Sequence, residues 1–436
     1  MGTVIGVFLL ITYFAFIFYA AKGGNLLLGL FVMAILWSGL CLIAGKLTLE
    51  AINTTIFQGG PESFGPTAIN IIFGSWFGRV LIETGIARTI IRKAVELGGD
   101  KPSLTAILLS IVVTAIFTTA YGVGAVVAIG VIVFPIMLSL GISKPLATGA
   151  FSMSVGAGLW LNSALLSQAA GTMLIGEESY KVGPSWYAFG AVAIAVHVLT
   201  YIVMILVSTR KSSKVHAWAA GGGDTGADSQ IKNTNIWATI TPILPVTFAI
   251  AFGIKSIPAI ILAVIWALAW TGYLNNWKKI ADVVQKTFQE GVQDVGLVLG
   301  FLLFLQMFIK SAGAAKDLLS PIISPLLPNN IFLLFLVFGI FGFLALFRGP
   351  LTIWGAGAAT FAIIAGSGTY SIALLFPLFY ITATAITTNI CPTQSWNLWA
   401  VGYTKISVKD YMRQTLPYVL PMTFALELIA YFMLVK

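Results

Sequence analysis

The sequence predicts an all-α polytopic membrane protein built from two inverted repeats, each holding a re-entrant hairpin and a broken transmembrane helix. Three observations carry this. Of 436 residues, 58% are hydrophobic and only 9% charged, against about 25% charged in soluble domains. Several apolar runs are broken midway by Gly, Pro, Thr, Ser and Asn, at matching places in two halves. The basic residues between the runs gather on one side of the scheme.

A spanning helix needs about 20 apolar residues. In chain order, spans are expected at 3–21, 24–45 and 64–87. A long broken run follows at 103–141, then a broken span at 145–174 and a span at 186–208. No basic residue precedes the first apolar run at 4–20, which favours a retained helix over a cleaved signal peptide. A polar connector at 209–235 separates this first half, 1–208, from the second, 236–436. Its spans are expected at 237–254, 257–275 and 291–311, followed by a hairpin at 331–366, a broken span at 371–403 and a last span at 416–434.

The 331–366 run is nearly long enough for two helices, yet only Phe347, Arg348, Gly349 and Pro350 interrupt it. Irregular backbone at membrane depth survives where protein buries it or a wet cavity meets it. An arginine there costs about 2.5–3.5 kcal/mol on insertion scales, so it faces a partner or a ligand. The run therefore reads as a hairpin with a cation at its tip.

If both long broken runs return to the face they entered, 16 of the 24 Lys and Arg lie on one side and six on the other. The richer side is cytoplasmic by the positive-inside rule. That puts the connector and 405–413 inside, both termini outside, the first hairpin on the inner face and the second on the outer face. Repeats so inverted are common in secondary transporters.

Four interruptions could carry chemistry. The first hairpin offers Thr118, Thr119, Tyr121 and Gly122, and the first broken span Gly156, Gly158, Trp160 and Asn162. The second hairpin offers Arg348, Gly349 and Thr352, and the second broken span Thr387, Thr388, Asn389, Thr393, Gln394, Ser395 and Asn397. Half-helix N-termini favour an anion, and freed carbonyls with hydroxyl and amide oxygens suit a small cation. A substrate is accordingly expected at Arg348, Gly349, Thr352, Thr119, Tyr121, Gly122, Trp160, Asn162, Thr393, Gln394, Ser395 and Asn397. A coupling cation is expected at Thr118, Gly156, Gly158, Thr387, Thr388 and Asn389. Trp354, Trp396 and Trp399 add aromatic surface to the same stretches.

Among ionisable residues, Arg79 and Glu83 are one helical turn apart and are expected to pair. Glu290 and Asp294 are read as solvated at the start of a span. His197, mid-span, suits a polar contact between helices or a proton relay, with Glu427 in the last span. The +9 net charge would suggest nucleic acid in a soluble chain; here the basic residues flank spans instead. Cys41 and Cys391 lie inside apolar runs and imply neither disulfide nor metal. No H-E-x-x-H, phosphate loop or G-x-S-x-G elbow is present, so neither an enzyme nor a cofactor beyond a coupling ion, Na+ or H+, is expected.

The stretch at 73–90 resembles the gluconate permease family in its order of glycine, Ile82-Glu83, Gly85 and basic residues, followed by Gly98-Gly99. Arg348-Gly349 and the segments 395–399 and 406–409 are similar to that family too. The chain departs from it at 155–162, which lacks the family's His/Pro-rich segment, and at 118–124, which has no acid. The family belongs to the ion transporter superfamily of inverted-repeat carriers. The resemblance implies a homodimer working by an elevator movement. Taken with the polar breaks and Arg348, the expected function is a cation-coupled symporter moving a small organic anion, a carboxylate, across the cell inner (plasma) membrane. An uncoupled anion channel and a cation/proton antiporter of the same superfamily are the alternatives.

Overall fold

A computed structural model describes residues 2–22, 24–99, 101–175, 178–211, 235–323, 325, 327–328 and 330–435. Most of the connector, at 212–234, and Lys436 lie outside the described residues. The fold is an all-α polytopic membrane protein: six described helices are long and apolar enough to cross a bilayer.

Two spanning helices, Gly2–Ala21 and Leu26–Ile43, come first. The order of elements then occurs twice. A long helix, Gly65–Glu83, leads through Gly85, in the left-handed region at φ 75°, into the amphipathic helix Ile86–Gly98. A helical hairpin follows, Pro102–Phe117 and Val123–Ser139. The broken helix Lys144–Gly158 and Ser163–Thr172 comes next, and Pro184–Lys211 closes the half. Two shorter apolar helices, Leu244–Phe252 and Ser256–Trp270, lead to the second set. Trp277–Ala314, amphipathic Lys316–Ile323, a hairpin between Ile331–Ile340 and Gly357–Gly366, a broken helix from Ile372–Thr382 to Ser395–Thr404, and closing Val408–Ala430 repeat the order.

The leading helices of the two sets pack antiparallel. Ser75 Oγ donates to Gly291 O at 2.8 Å, Trp76 Nε1 to Thr287 Oγ1 at 3.1 Å, and Lys286 Nζ lies 2.8 Å from Glu83 Oε1. The closing helices do the same: Gln414 Nε2 donates to Ser208 Oγ at 2.8 Å, and the 431–435 end of the second packs back along the first.

Three expectations are corrected. Arg79 does not pair with Glu83. Its Nε and Nη2 grip both Asp294 oxygens at 2.6 Å, and Nη1 reaches Glu290 at 3.3 Å, while Glu83 takes Lys286. Asp294 and Glu290 are therefore paired across helices rather than simply solvated. The span expected from 291 is one helix of 38 residues starting at Trp277, with Asn276 accepting from Lys278 and Lys279 N–H as its cap. Short helical turns also cover 49–63, between the second and third spans; Gly60 lets them approach the Met307 backbone to within 3.2 Å of where a Cβ would stand. Outside the spans, a hydrogen bond from Lys46 Nζ to Asp317, 2.8 Å long, holds that carboxyl below its ordinary pKa.

Candidate functional site

The tip of the second hairpin is a tight coil. Ile331–Ile340 bends by 55° into Gly342–Arg348, and Phe347 and Arg348 both adopt left-handed backbone, φ 52° and 61°. For non-glycine residues such strain persists only where surrounding structure fixes it. Here Ala356 N donates to Arg348 O at 2.8 Å and Gly357 N to Gly349 O at 3.0 Å. A Cβ on Gly349 would stand 2.0 Å from Leu344 O, and one on Gly355 2.4 Å from Arg348 O. Phe347 N also donates to Cys391 Sγ at 3.1 Å, tying the tip to the second broken helix. Arg348 Nη1 donates to Trp354 O at 2.7 Å and Nη2 to Thr393 O at 3.3 Å. A guanidinium carries five N–H donors in a fixed fork, so donors remain for a ligand.

The tip of the first hairpin turns at Gly122, whose φ of 103° and ψ of 156° only glycine tolerates well. Thr119 Oγ1 donates to Pro242 O at 2.5 Å, and Tyr121 OH to Gln168 Oε1 at 2.5 Å. Asn162 holds this tip against the first broken helix. Its Nδ2 donates to Phe117 O at 3.0 Å and Ala120 O at 2.9 Å, and its Oδ1 accepts from Ala164 N and Leu165 N at 3.0 and 3.1 Å. The half-helix Ser163–Thr172 is thereby capped.

The other half-helix is not. At Ser395–Thr404 the preceding Gln394 makes no side-chain cap. Its first-turn N–H groups, on Ser395, Trp396 and Asn397, have no acceptor within the helix and present its positive dipole end. This N-terminus opens into a cavity of about 460 Å3, where Thr393, Gln394, Ser395 and Trp396 meet Arg348, Trp354, Thr388, Tyr121 and Gln168. Among the described residues, none that lines it is acidic. Trp354 also lines it, and its Nε1 is buried without an acceptor. The cavity reaches the Gly24–Asn25 turn between the first two helices.

Beside the cavity the second broken helix passes through a π-helical turn, Ala383–Thr387, into Thr388–Ile390. Such turns loosen the backbone ladder and recur at functional sites. The Asn389 Nδ2 donates to Thr384 O at 3.2 Å and Ala385 O at 2.5 Å, while Oδ1 is buried without a donor. Thr384 Oγ1 and Asn397 Oδ1 are likewise buried and unpartnered. Gly156 is pressed onto this spot: a Cβ there would stand 1.7 Å from Asn389 Oδ1 and 3.0 Å from Thr388 Oγ1. Asn389 Oδ1, beside the Thr388 hydroxyl and without a donor, is the kind of neutral oxygen that a small cation takes. Among the described residues no group of three or more His, Cys, Asp or Glu could hold a metal ion.

The expected residues thus divide. Arg348, Tyr121, Thr393, Gln394, Ser395 and Thr388 line one cavity; Gly156, Asn389 and Asn397 stand behind it. Asn162 and Thr119 are engaged in joining elements and lie away from the cavity wall. Gly122 and Gly349 shape tips. Thr118 Oγ1 bonds Ala115 O at 2.7 Å, Thr387 Oγ1 bonds Ala345 O at 3.2 Å, and Thr352 Oγ1 accepts from Trp354 N at 3.4 Å. Gly158 lets its helix meet the first hairpin, with a Cβ only 2.5 Å from Thr114 O. Trp160 is fully buried and donates to His197 Nδ1 at 3.0 Å. Gln168 was missed; a glutamine inside an apolar half-helix, six residues past Asn162, was the available signal.

Neither a protein-family model nor a curated protein sequence matches the chain, so no family model carries the gluconate permease resemblance. Among solved structures, the crystal structure of the Alcanivorax borkumensis YdaH transporter, described as having an unusual topology, superposes with a TM-score of 0.61 at 14% identity, over 94% of this chain and 98% of that one. At that identity the likeness concerns the fold.

Proposed function

We propose that the chain is a secondary active transporter that moves a small organic anion, a carboxylate, across the cell inner membrane, coupled to Na+ or H+. One observation carries the reading: Arg348 and the uncapped N-terminus at Ser395 converge on a single cavity lined by no acid among the described residues. A carboxylate there would accept two parallel hydrogen bonds from the guanidinium and further bonds from the helix end. The repeated element order and the antiparallel pairing of corresponding helices support an inverted repeat. Two hairpin tips meeting at one cavity support alternating access of the elevator type, in a homodimer. The solved transporter of the same fold adds support.

With the basic side taken as cytoplasmic, the Gly24–Asn25 end of the cavity faces inward. An impermeant maleimide should then leave a Lys409→Cys variant unlabelled in intact cells and label it in inverted vesicles, with Lys255→Cys behaving oppositely. Ready labelling of Lys409→Cys from outside reverses the orientation.

The neutral oxygens around Asn389 suit sodium better than a bare proton. Sodium chloride, compared with choline chloride at equal ionic strength, should raise the melting temperature of the purified protein by mass action, and Asn389→Ala should remove that response. An unchanged wild-type melting temperature would leave the proton as coupling ion. The same assay, run against gluconate, citrate, succinate and acetate, identifies the anion; a stabilising carboxylate should lose its effect in Arg348→Ala.

A further inference from the structure

The half-helix Ser163–Thr172 separates two cavities. Leu165 and Gln168 line the one that holds Arg348, and Ser167, Ala170 and Gly171 line a second of about 490 Å3. Ser63, Thr67, Asn70, Ser179 and Lys310 complete the second wall. Thr67 lies in the first turn of Gly65–Glu83, and Lys310 near the end of Trp277–Ala314, which runs antiparallel to it. The second cavity therefore sits at the end of this pair away from Arg79 and Asp294. Lys310 is nine residues beyond Phe301, which lines the first cavity, or about 14 Å along the helix. Ser63 and Ser179 are exposed and belong to turns between spans, so the second cavity is open to water. With the basic side taken as cytoplasmic, it opens outward.

Direct contacts build this wall. Gln306, one turn before Lys310, donates from Nε2 to Gly171 O at 2.8 Å, and a Cβ on Gly171 would stand 2.2 Å from Thr67 Oγ1. The end of the half-helix is thus held between the two long helices that supply Thr67 and Lys310. Among the described residues, Lys310 Nζ makes no ion pair or hydrogen bond, and the hydroxyls of Thr67, Ser167 and Ser179 donate to no acceptor. Ser63 Oγ is spent on Gly60 O at 2.6 Å and Asn70 Nδ2 on Pro66 O at 3.1 Å. No described residue of the wall is acidic. Glu62 is bonded to Gln58, and Glu178 is exposed outside the wall. A lysine that merely ends a span would extend to water or headgroups; this one is half-buried beside unspent hydroxyls.

We infer that this outer cavity is a second anion subsite, a vestibule where Lys310 and the hydroxyls of Thr67, Ser167 and Ser179 hold a small carboxylate one half-helix away from Arg348. An ammonium is a point charge with three rotatable donors, and hydroxyls adapt their hydrogen positions. The vestibule therefore gathers anions without the fixed two-pronged grip of the guanidinium. One fixed positive charge in a cleft free of acids also raises the local anion concentration. The inference rests on the carrier reading: it makes the vestibule the outer approach to the path whose other cavity holds Arg348, with the half-helix as the partition between them.

Thiol reactivity in the vestibule tests it without transport. The purified full-length Asn70→Cys protein is treated with an anionic sulfonate or a cationic trimethylammonium methanethiosulfonate. Wild type, whose Cys41 and Cys391 are buried, sets the background. The ratio of anionic to cationic rates should fall about tenfold with Lys310→Gln and hold with Lys310→Arg. It should also hold with Lys255→Gln, a lysine that lines a different cavity. At least one of gluconate, citrate, succinate and acetate should slow the anionic reagent more than chloride does at equal ionic strength. That protection should persist when Arg348→Ala is added and vanish when Lys310→Gln is added. A ratio indifferent to Lys310→Gln in a protein that melts like wild type would overturn the vestibule, as would protection matched by chloride. Protection lost with Arg348→Ala would also overturn it, placing the carboxylate in the first cavity alone. Anion flux without protection removes the vestibule and keeps the carrier, whereas protection without any flux removes the carrier and keeps the anion site.

Discussion

Arg348→Ala should abolish anion binding while the protein still folds. Truncating one partner of a buried, hydrogen-bonded charge pair costs about 3 kcal/mol, roughly a hundredfold or more in affinity. Removing an intramembrane charge also lowers the insertion cost, so expression should not fall for that reason. Arg348 additionally bonds Trp354 O and Thr393 O, and a loosened tip must be told apart from a lost ligand contact. Arg348→Lys makes that separation. It keeps the charge and can reach one carbonyl, but it cannot present a two-pronged donor. Binding should be impaired in both variants, with melting temperatures of the ligand-free proteins within a few degrees of wild type. Near-normal carboxylate affinity in a well-folded Arg348→Ala protein would leave the anion to the Ser395 helix end and neighbouring hydroxyls alone.

The largest stability effect is expected at Asn162, which acts through both ends of its amide. Asn162→Ala loses a helix cap, worth about 1 kcal/mol, and leaves the buried Phe117 and Ala120 carbonyls unpaired at about 1–3 kcal/mol each. The sum is roughly 3–7 kcal/mol, large for any single change. Asn162→Asp should be worse, because it sets a carboxylate oxygen against those two carbonyls where the amide donated. Thermal unfolding in detergent reads both. Asn162→Asp matching wild type would show that the first hairpin tip is held by something other than this side chain.

Most of the architecture was legible because membrane spans depend on local composition. The breaks at 118–122, 159–162, 347–356 and 391–394 all fall where glycine, proline or polar residues interrupt an apolar run. The tip cation at Arg348 was legible for the same reason: a single charge in a long apolar stretch admits few placements. What local composition cannot carry is partner choice between distant segments. Arg79 has Glu83 one turn away, yet takes Asp294 and Glu290 from a helix more than two hundred residues on, where the bidentate geometry is better. Asn162 and Trp160 sit in a polar break and so were assigned to the substrate. Their hydrogen bonds to Phe117, Ala120 and His197 depend on how the hairpin and closing helix pack around them. The turns at 49–63, rich in glycine and polar residues, lack the periodicity that would have marked them as helical.

The central claim is coupled movement of an anion, and flux against its own gradient tests that most directly. The purified protein would be reconstituted into liposomes, with an imposed sodium or proton gradient and the radiolabelled carboxylate that most raises its melting temperature. The account predicts accumulation above the external concentration, collapsing when the driving gradient is dissipated and absent in Arg348→Ala. Strictly downhill flux, indifferent to both sodium and protons, would contradict it and make the cavity the pore of an uncoupled anion channel.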